Sequence, residues 1–217
     1  MKLSEKAWKL SSKTIQAIKV HPFNKEIMNG TLPLDKLAYY LEQDVLYLED
    51  FARCHAIIAS KVPIEYVRNF LRYSENTFIA EQEVLHQFFK KKFNFQETKL
   101  LAPATLSYTS YLRHICSNES VEVGIASLLP CFWIYREIGF FIAKQSPKNN
   151  PYARWIETYR NEDFSIVVDE VIGIFDTLAK KTTDEIRNKM LDTFYKSACL
   201  EWHFWNDSYN KAVFDNF

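Results

Sequence analysis

Glycine is scarce in this chain, occurring at only 4 of 217 positions. Glycine is the residue that most readily adopts the positive-φ conformation of tight turns, and glycine-rich loops are the usual way to hold phosphate groups. So few glycines favour long helices over a series of hairpins. The sequence also lacks P-loop, GxGxxG and GxSxG motifs, so we expect no nucleotide-binding or serine-hydrolase chemistry of those kinds.

Apolar residues recur three and four positions apart along most of the chain, which is the spacing of one helix face. The clearest example runs through Leu37, Tyr40, Leu41, Asp44, Tyr47, Leu48 and Phe51. Prolines and polar runs divide the pattern into helices at roughly 8–21, 33–61, 63–92, 103–112, 120–144, 152–159, 164–180 and 182–210, the last beginning at a capping box from Thr182 to Glu185. We predict an all-α protein with a single domain over residues 1–217, built as one bundle of about eight helices.

The charged residues balance, with 27 Lys and Arg residues against 27 Asp and Glu residues, so the formal net charge is +0. No basic excess is available to hold a nucleic-acid backbone, and we expect no nucleic-acid partner. A net charge near zero also permits self-association.

The start of the chain and its cysteines indicate a compartment. Residues 1–6 lack the apolar segment of a signal peptide, and the longest apolar run, at 125–132, is too short to cross a membrane. The four cysteines, Cys54, Cys116, Cys131 and Cys199, are scattered and form no CxxC pair. We therefore expect a cytoplasmic protein with reduced thiols and no membrane partner.

One predicted helix places a cysteine beside a proline. Cys131 and Tyr135 are four residues apart and share a helix face. Pro130 cannot donate a hydrogen bond to the carbonyl of Ala126, and its ring crowds that carbonyl, so we expect a kink or a loosened turn beside Cys131. By itself the pattern is a weak functional signal, because a free cysteine in a helix is most often a small buried apolar residue.

Two carboxylates fall on apolar helix faces. Asp44 lies on the stripe that includes Tyr40 and Tyr47, and Glu201 lies on the same side of its helix as Phe194. A carboxylate in apolar surroundings needs a partner or a ligand. The alternatives to a functional site are an internal pair with an arginine or a backbone N–H for Asp44 and a solvated rim position for Glu201.

Aromatic residues are unusually frequent, at 16% of the chain. They supply core area, and they can also line a pocket for a flat ligand. Tyr108 and Tyr159 are open to both interpretations, and taken alone each is expected to anchor the core.

Metal and haem sites find little support. Residues 83–86 form one ExxH motif, whereas a carboxylate-bridged di-iron bundle needs two such motifs and two further carboxylates. His21 precedes a proline and is expected to end a helix, not to ligate haem. We predict no metal and no cofactor.

Several short segments form an ordered set along nearly the whole chain. The first group combines His21-Pro22-Phe23, Gly30-Thr31-Leu32-Pro33, Tyr40 and Gln43-Asp44-Val45-Leu46-Tyr47-Leu48. The second is Pro130-Cys131-Phe132-Trp133-Ile134-Tyr135, the third is Trp155-Ile156-Glu157-Thr158-Tyr159, and the fourth is Glu201 with Phe204. Each segment is modestly specific, but four such groups in order with compatible spacing are much more so. Together they resemble the thiaminase II (TenA) family.

The resemblance implies a haem-oxygenase-like helical fold without haem, usually assembled as a homotetramer. It also implies an aminopyrimidine aminohydrolase, a hydrolase of thiamin salvage that acts at the C5 methylene of a 4-amino-2-methylpyrimidine. The 5-aminomethyl compound is converted to the 5-hydroxymethyl compound, and many members also cleave thiamin. The expected small-molecule partner is therefore an aminopyrimidine or thiamin.

The resemblance also assigns roles to individual residues. Cys131 resembles the nucleophile of the cysteine branch, Glu201 the acid or base that acts on the leaving amine, and Asp44 the residue that grips the aminopyrimidine edge. The residues that resemble pocket walls are Tyr47, Tyr108, Tyr135, Tyr159 and Phe204. The run at 160–163 is more strongly charged than the family pattern after the wall tyrosine at 159.

These residue types fit the implied chemistry. A thiolate is suited to adding to an electron-poor ring carbon, which lets the C5 methylene expel its amine. Glu201 can supply a proton to that amine if the carboxyl is partly desolvated. Asp44 can accept from the 4-amino group or pair with a protonated ring nitrogen.

Two other functions stay open at this stage. One is a non-catalytic pyrimidine-binding or regulatory protein that uses the same pocket. The other is an oxidative enzyme on the same fold, as in pyrroloquinoline-quinone biosynthesis. The lack of a basic, histidine-rich set of residues argues against the oxidative enzyme.

Overall fold

The computed structural model describes residues 1–77, 79, 91 and 100–214. Within these residues the chain forms ten α-helices and no β-strand, so the predicted all-α class is confirmed. In chain order they are α1 Leu3–Leu10, α2 Ser12–Lys19, α3 Pro22–Asn29, α4 Leu34–Ala59, α5 Ile64–Asn76, α6 Pro103–Asn118, α7 Val121–Ala143, α8 Ala153–Arg160, α9 Glu162–Lys181 and α10 Asp184–Asn210. Their buried apolar side chains form a hydrophobic core cluster.

The N-terminal part of the chain holds two more helices than the pattern predicted. Ser11, with φ −88° and ψ 2°, separates α1 from α2, which were predicted as one helix. The periodicity predicted no helix where α3 lies. His21 caps α3, because its Nδ1 accepts a hydrogen bond from the Phe23 backbone N–H at 3.2 Å. Pro22, which ends one helix, also suits the first position of the next.

One predicted helix boundary differs from the structure by one residue, and another lies outside the described residues. The capping box was placed one residue too early: Thr182 ends α9, and it is Thr183 that caps α10 by accepting a hydrogen bond from the Ile186 backbone N–H at 3.3 Å. The predicted third helix begins as expected after Pro63, but most of its continuation to Lys92 lies outside the described residues.

Helix α7 lies at the centre of the bundle and packs against α6, α8, α9 and α10. Its length and apolar composition would allow it to cross a membrane, but 72% of its most apolar window is buried inside the molecule. Burial of this kind is typical of the core helix of a folded bundle. The helix runs through Pro130, and the side chain of Cys131 on its next position is only partly buried.

A buried histidine lies in the core next to residues that line the candidate site described below. His55 on α4 is 0% exposed, and its ring lies 4.4 Å from that of Phe51 and 5.3 Å from that of Phe132. Neither ring nitrogen has a hydrogen-bond partner within the described part of the chain. Burial lowers the pKa of His55 to about 3, so the folded protein holds this ring neutral.

The buried ring makes stability depend on pH. The unfolded chain binds a proton at His55 once the pH falls below about 6.5, while the folded chain does not, so acid favours unfolding. Between pH 6.5 and 5 this single group should remove about 2 kcal/mol of unfolding free energy. Urea titrations at several pH values would show a shallower acid decline for His55→Leu than for wild type. Parallel declines in the two proteins would contradict the expectation.

Candidate active site

Residues from α4, α7, α8 and α9, together with Thr77 at the end of α5, line one narrow cavity of about 20 Å³. Its walls are Asp44, Leu48, Phe51, Thr77, Cys131, Phe132, Tyr135, Tyr159 and Phe164. Four of the eight predicted site residues are in this set, although they lie far apart in the sequence. The space holds about one water molecule, so a ring-sized ligand would require the walls to separate.

Glu201 lies beneath this cavity on α10 and is 1% exposed. Its Oε1 accepts a hydrogen bond from the Tyr108 hydroxyl at 2.9 Å. Burial, with a smaller contribution from the charge of Asp44, raises the pKa of Glu201 to about 8, although hydrogen bonding with Tyr108 and Cys131 opposes the rise. At neutral pH the carboxyl is therefore mostly protonated and can act as an acid. The solvated-rim alternative for Glu201 is wrong.

Tyr47 lies near Cys131 and packs against two aromatic residues, Tyr108 and Phe204. Its ring centroid lies 5.0 Å from that of Tyr108 and 5.7 Å from that of Phe204. Burial raises the pKa of Tyr47 well above its usual range, and the neighbouring Cys131 adds to this. The Tyr47 hydroxyl is buried without a hydrogen-bond partner among the described residues. Tyr47, Tyr108 and Phe204 thus lie together behind the cavity and do not line it.

Hydrogen bonds link three aromatic side chains at and beside the cavity, Tyr40, Tyr135 and Trp155. The Tyr40 hydroxyl donates to the Tyr135 hydroxyl at 3.4 Å and accepts from Trp155 Nε1 at 3.4 Å. The ring of Tyr159 lies 4.8 Å from that of Tyr135. Burial, followed by the charge of Asp44, raises the pKa of Tyr40, so this hydroxyl stays protonated beside the carboxylate.

Gln43 lies in one of the segments that resemble the TenA family, but no role was predicted for it. Its side chain donates to the Leu100 carbonyl at 2.8 Å and accepts from the Ala102 backbone N–H at 2.8 Å. These bonds hold the segment that leads into α6, the helix that carries Tyr108. Gln43 is 1% exposed and, from the position next to Asp44, helps to place the helix that carries Tyr108. Its position beside Asp44 is the only hint of this role in the sequence.

The charged run after Tyr159 has a structural explanation. Asn161 caps α9 by accepting a hydrogen bond from the Phe164 backbone N–H at 2.8 Å, and Arg160 pairs with Glu157 at 2.6 Å. Acidic residues in the first turn also suit the positive end of a helix. The cap places the ring of Phe164 5.6 Å from that of Tyr159, at the cavity. The charged run, which departs from the family pattern, thus places Phe164 in the cavity wall. This role was not predicted from the sequence.

A second cavity of about 320 Å³ adjoins the first. The two share three lining residues, Thr77, Phe132 and Phe164. The described residues that line this outer cavity come from α5, α7, α8 and α9 and from Thr77 and Asn161 at helix ends. Thr77, Phe132 and Phe164 therefore lie where the two cavities meet.

Other kinds of site gain nothing from the coordinates. Within the described ranges, no three His, Cys, Asp or Glu side chains come together as potential metal ligands. His21 is a helix cap, and the ExxH motif at 83–86 lies outside the described residues.

Residues 8–211 match the family model described as the TENA/THI-4/PQQC family. The chain belongs to this family. An aminopyrimidine aminohydrolase from Bacillus subtilis is 35% identical over 217 residues, covering 97% of this chain and 91% of the relative. That relative is by name a hydrolase acting on C–N bonds, which confirms the prediction of an enzyme of this class.

Solved structures agree on the fold of this TenA-family chain. A TenA homologue from P. horikoshii superimposes with a TM-score of 0.87 at 22% identity, covering 97% of this chain and 99% of the homologue. A Shewanella denitrificans domain described as having a heme oxygenase-like fold gives a TM-score of 0.72 at 14% identity, covering 97% and 93% of the two chains. The predicted haem-oxygenase-like architecture is confirmed.

Proposed function

We propose that this chain hydrolyses the C5 methylene–amine bond of 4-amino-5-aminomethyl-2-methylpyrimidine and releases ammonia and the 5-hydroxymethyl compound. The observation that carries the proposal is the convergence of Cys131 with two buried carboxyl groups, Asp44 and Glu201. Burial raises the pKa of Glu201 to about 8, which favours its acid form at neutral pH. Membership in the family and the name of the Bacillus subtilis relative support the same reaction.

Cys131 begins the proposed reaction as a thiolate. Its sulfur forms a bond to an electron-deficient ring carbon, and the displaced π-electrons move into the ring, which loses aromaticity. These electrons then form an exocyclic double bond at C5 and expel the amine from the methylene carbon. Glu201 gives its proton to the departing nitrogen and becomes a carboxylate.

Water completes the proposed cycle at the same carbon. It adds to the exocyclic methylene and gives a proton to the Glu201 carboxylate, which restores the acid. The ring then expels the Cys131 sulfur and regains aromaticity. The net change is the addition of one water molecule and the loss of one ammonia molecule, so no oxidant or metal enters the balance.

Asp44 and the aromatic rings are proposed to hold the substrate. Asp44 is 3% exposed, lines the cavity, and can accept a hydrogen bond from the 4-amino group or pair with a protonated ring nitrogen. The rings of Tyr135 and Tyr159 can cover the faces of a flat heterocycle and exclude water. The unpartnered hydroxyl of Tyr47 offers one more polar contact once the walls separate.

Further properties of the protein are proposed on the resemblance. They are a homotetramer, a cytoplasmic location, a single domain over residues 1–217, and cleavage of thiamin as a second reaction. The balanced charge of +0 is compatible with self-association.

The alternatives make different demands on the pocket. An oxidative enzyme would need basic or histidine side chains around its substrate, and among the described residues that line the cavity none is His, Lys or Arg. A purely binding or regulatory protein would need no acid, so the cost of burying Glu201 would bring no benefit. The reaction therefore explains the site better than either alternative.

Ammonia release measured with the purified chain tests the proposed function. Wild-type protein should release one ammonia per aminomethyl-pyrimidine consumed, and the hydroxymethyl product should appear at the same rate. A parallel assay with thiamin shows whether the bulkier leaving group is accepted. Binding of the hydroxymethyl compound without ammonia release would select the non-catalytic alternative, and oxygen uptake with a quinone precursor would select the oxidative one.

A further inference from the structure

Two helices approach each other unusually closely at one wall of the site. Cys131, Tyr135 and Gly139 follow at intervals of four on α7 and so lie along one face. A Cβ atom added at Gly139 would lie 2.8 Å from the carbonyl carbon and Cβ of Tyr159, and 2.9 Å from its carbonyl oxygen. Non-bonded heavy atoms do not pack at such distances. Only glycine therefore lets Tyr159, near the end of α8, lie where it does.

We propose that Gly139 is a positioning residue, which sets how far the ring of Tyr159 reaches into the pocket. The ring centroid of Tyr159 lies 4.8 Å from the centroids of both Tyr135 and Trp155. The position of the Tyr159 ring therefore depends on close packing against these two rings. The inference rests on the proposed function only in taking Tyr159 as a wall for the pyrimidine ring. Gly139 itself does not line the cavity and acts through Tyr159.

A methyl group at Gly139 should displace α8, not α7. Helix α7 is the central helix and is held by α6, α9 and α10 as well as by α8. Helix α8 has only 8 residues. The atoms that a methyl group would meet are the backbone and Cβ of Tyr159, which cannot rotate away as the end of a long side chain can. The strain is therefore relieved by moving Tyr159 away from Cys131, while α7 and α10 keep Cys131 beside Glu201.

Two other helical glycines provide matched controls. At Gly173 on α9 an added Cβ would meet nothing within 4 Å. At Gly124, on α7 itself, it would meet the Cδ1 atom of Ile58 at 2.4 Å, which is the end of a flexible side chain. Gly173→Ala thus controls for the substitution, and Gly124→Ala controls for a steric clash in the core away from the cavity.

The test compares the three alanine variants with wild type. Because a displaced wall weakens binding but leaves the reacting groups together, Gly139→Ala should raise KM for the aminomethyl-pyrimidine and Kd for the hydroxymethyl compound by roughly tenfold, with kcat changed by less than about threefold. Gly173→Ala should change none of these values. Gly124→Ala should lower Tm yet leave Kd as in wild type. The Kd readout does not need turnover, so it tests the positioning role even if ammonia release fails.

A double-mutant cycle separates positioning from general loosening. In a Tyr159→Ala background the wall is already lost, so adding Gly139→Ala should change Kd by less than about twofold. Independent, multiplying effects of the two substitutions would overturn the proposal, as would an unchanged Kd in folded Gly139→Ala. If Gly139→Ala has a low Tm, its binding of the hydroxymethyl compound is measured from the rise in Tm that the compound causes. A Gly139→Ala chain that does not fold at all overturns the proposal, because the clash is then not absorbed at Tyr159.

Discussion

Replacing Cys131 with alanine is expected to lower kcat for ammonia release by a factor on the order of 10³ or more, as removal of a covalent nucleophile does in other enzymes. The side chain is partly buried at the cavity and small, so the loss of one sulfur atom should leave the fold intact. Cys131→Ser should be nearly as inactive, because a hydroxyl group ionises far less readily than a thiol. Single-turnover ammonia release measures the effect directly.

Cys199→Ala is the matched control for this loss. Cys199 is another partly buried free cysteine, and it lies on α10 next to Thr14, at a sulfur–oxygen distance of 3.9 Å, not at the cavity. Its variant should turn over at the wild-type rate. Both variants should still bind the hydroxymethyl compound, which is checked by calorimetry. Ammonia release by Cys131→Ala at a rate near wild type would remove the covalent mechanism.

The periodicity of the sequence could predict which helix faces carry the site, but not how the faces meet. Asp44 on an apolar stripe, and Cys131 four residues before Tyr135, are features of single helices and were found from spacing alone. The bond between Tyr108 and Glu201 joins residues 93 positions apart. Such a contact depends on how α6 and α10 pack, and local patterns contain no information about that packing.

The missed residues have the same explanation. Gln43 is polar and quoted in a motif, yet its function becomes visible only when the segment at 100–102 lies against it. Phe164 follows a charged run that indicates a helix start, and only the cap at Asn161 brings its ring to the cavity. The helix start near Thr182 shows a different limit of sequence patterns, because either of two adjacent threonines can begin a capping motif. In the structure Thr183 is the cap.

Glu201→Gln is expected to have opposite effects on activity and on stability. Glutamine keeps the shape of the side chain and can still accept the Tyr108 hydrogen bond, but it has no proton to give to the leaving amine. We expect kcat to fall by roughly 10²–10³-fold with little change in KM, which is the usual size of a general-acid contribution. Wild-type kcat should decline above about pH 8, where the carboxyl ionises, and the variant should lack that decline.

Stability should change in the other direction because the pKa of Glu201 is raised from 4.5 to about 8 in the folded chain. Between these values the unfolded chain releases a proton that the folded chain retains, so each rise in pH favours unfolding, and the loss is complete above pH 8. Glutamine does not titrate, so Glu201→Gln should be more stable than wild type by roughly 2–4 kcal/mol at pH 7.5 and by much less at pH 4.5.

Urea unfolding of both proteins across this pH range measures the difference, with Glu185→Gln as the control. Glu185 lies on the same helix with a side chain that is 80% exposed, so its replacement should bring no pH-dependent gain. A gain in Glu201→Gln that does not grow with pH would show that the carboxyl ionises normally in the folded chain. Glu201 would then be a carboxylate at neutral pH, and the proton for the leaving amine would have to come from another group.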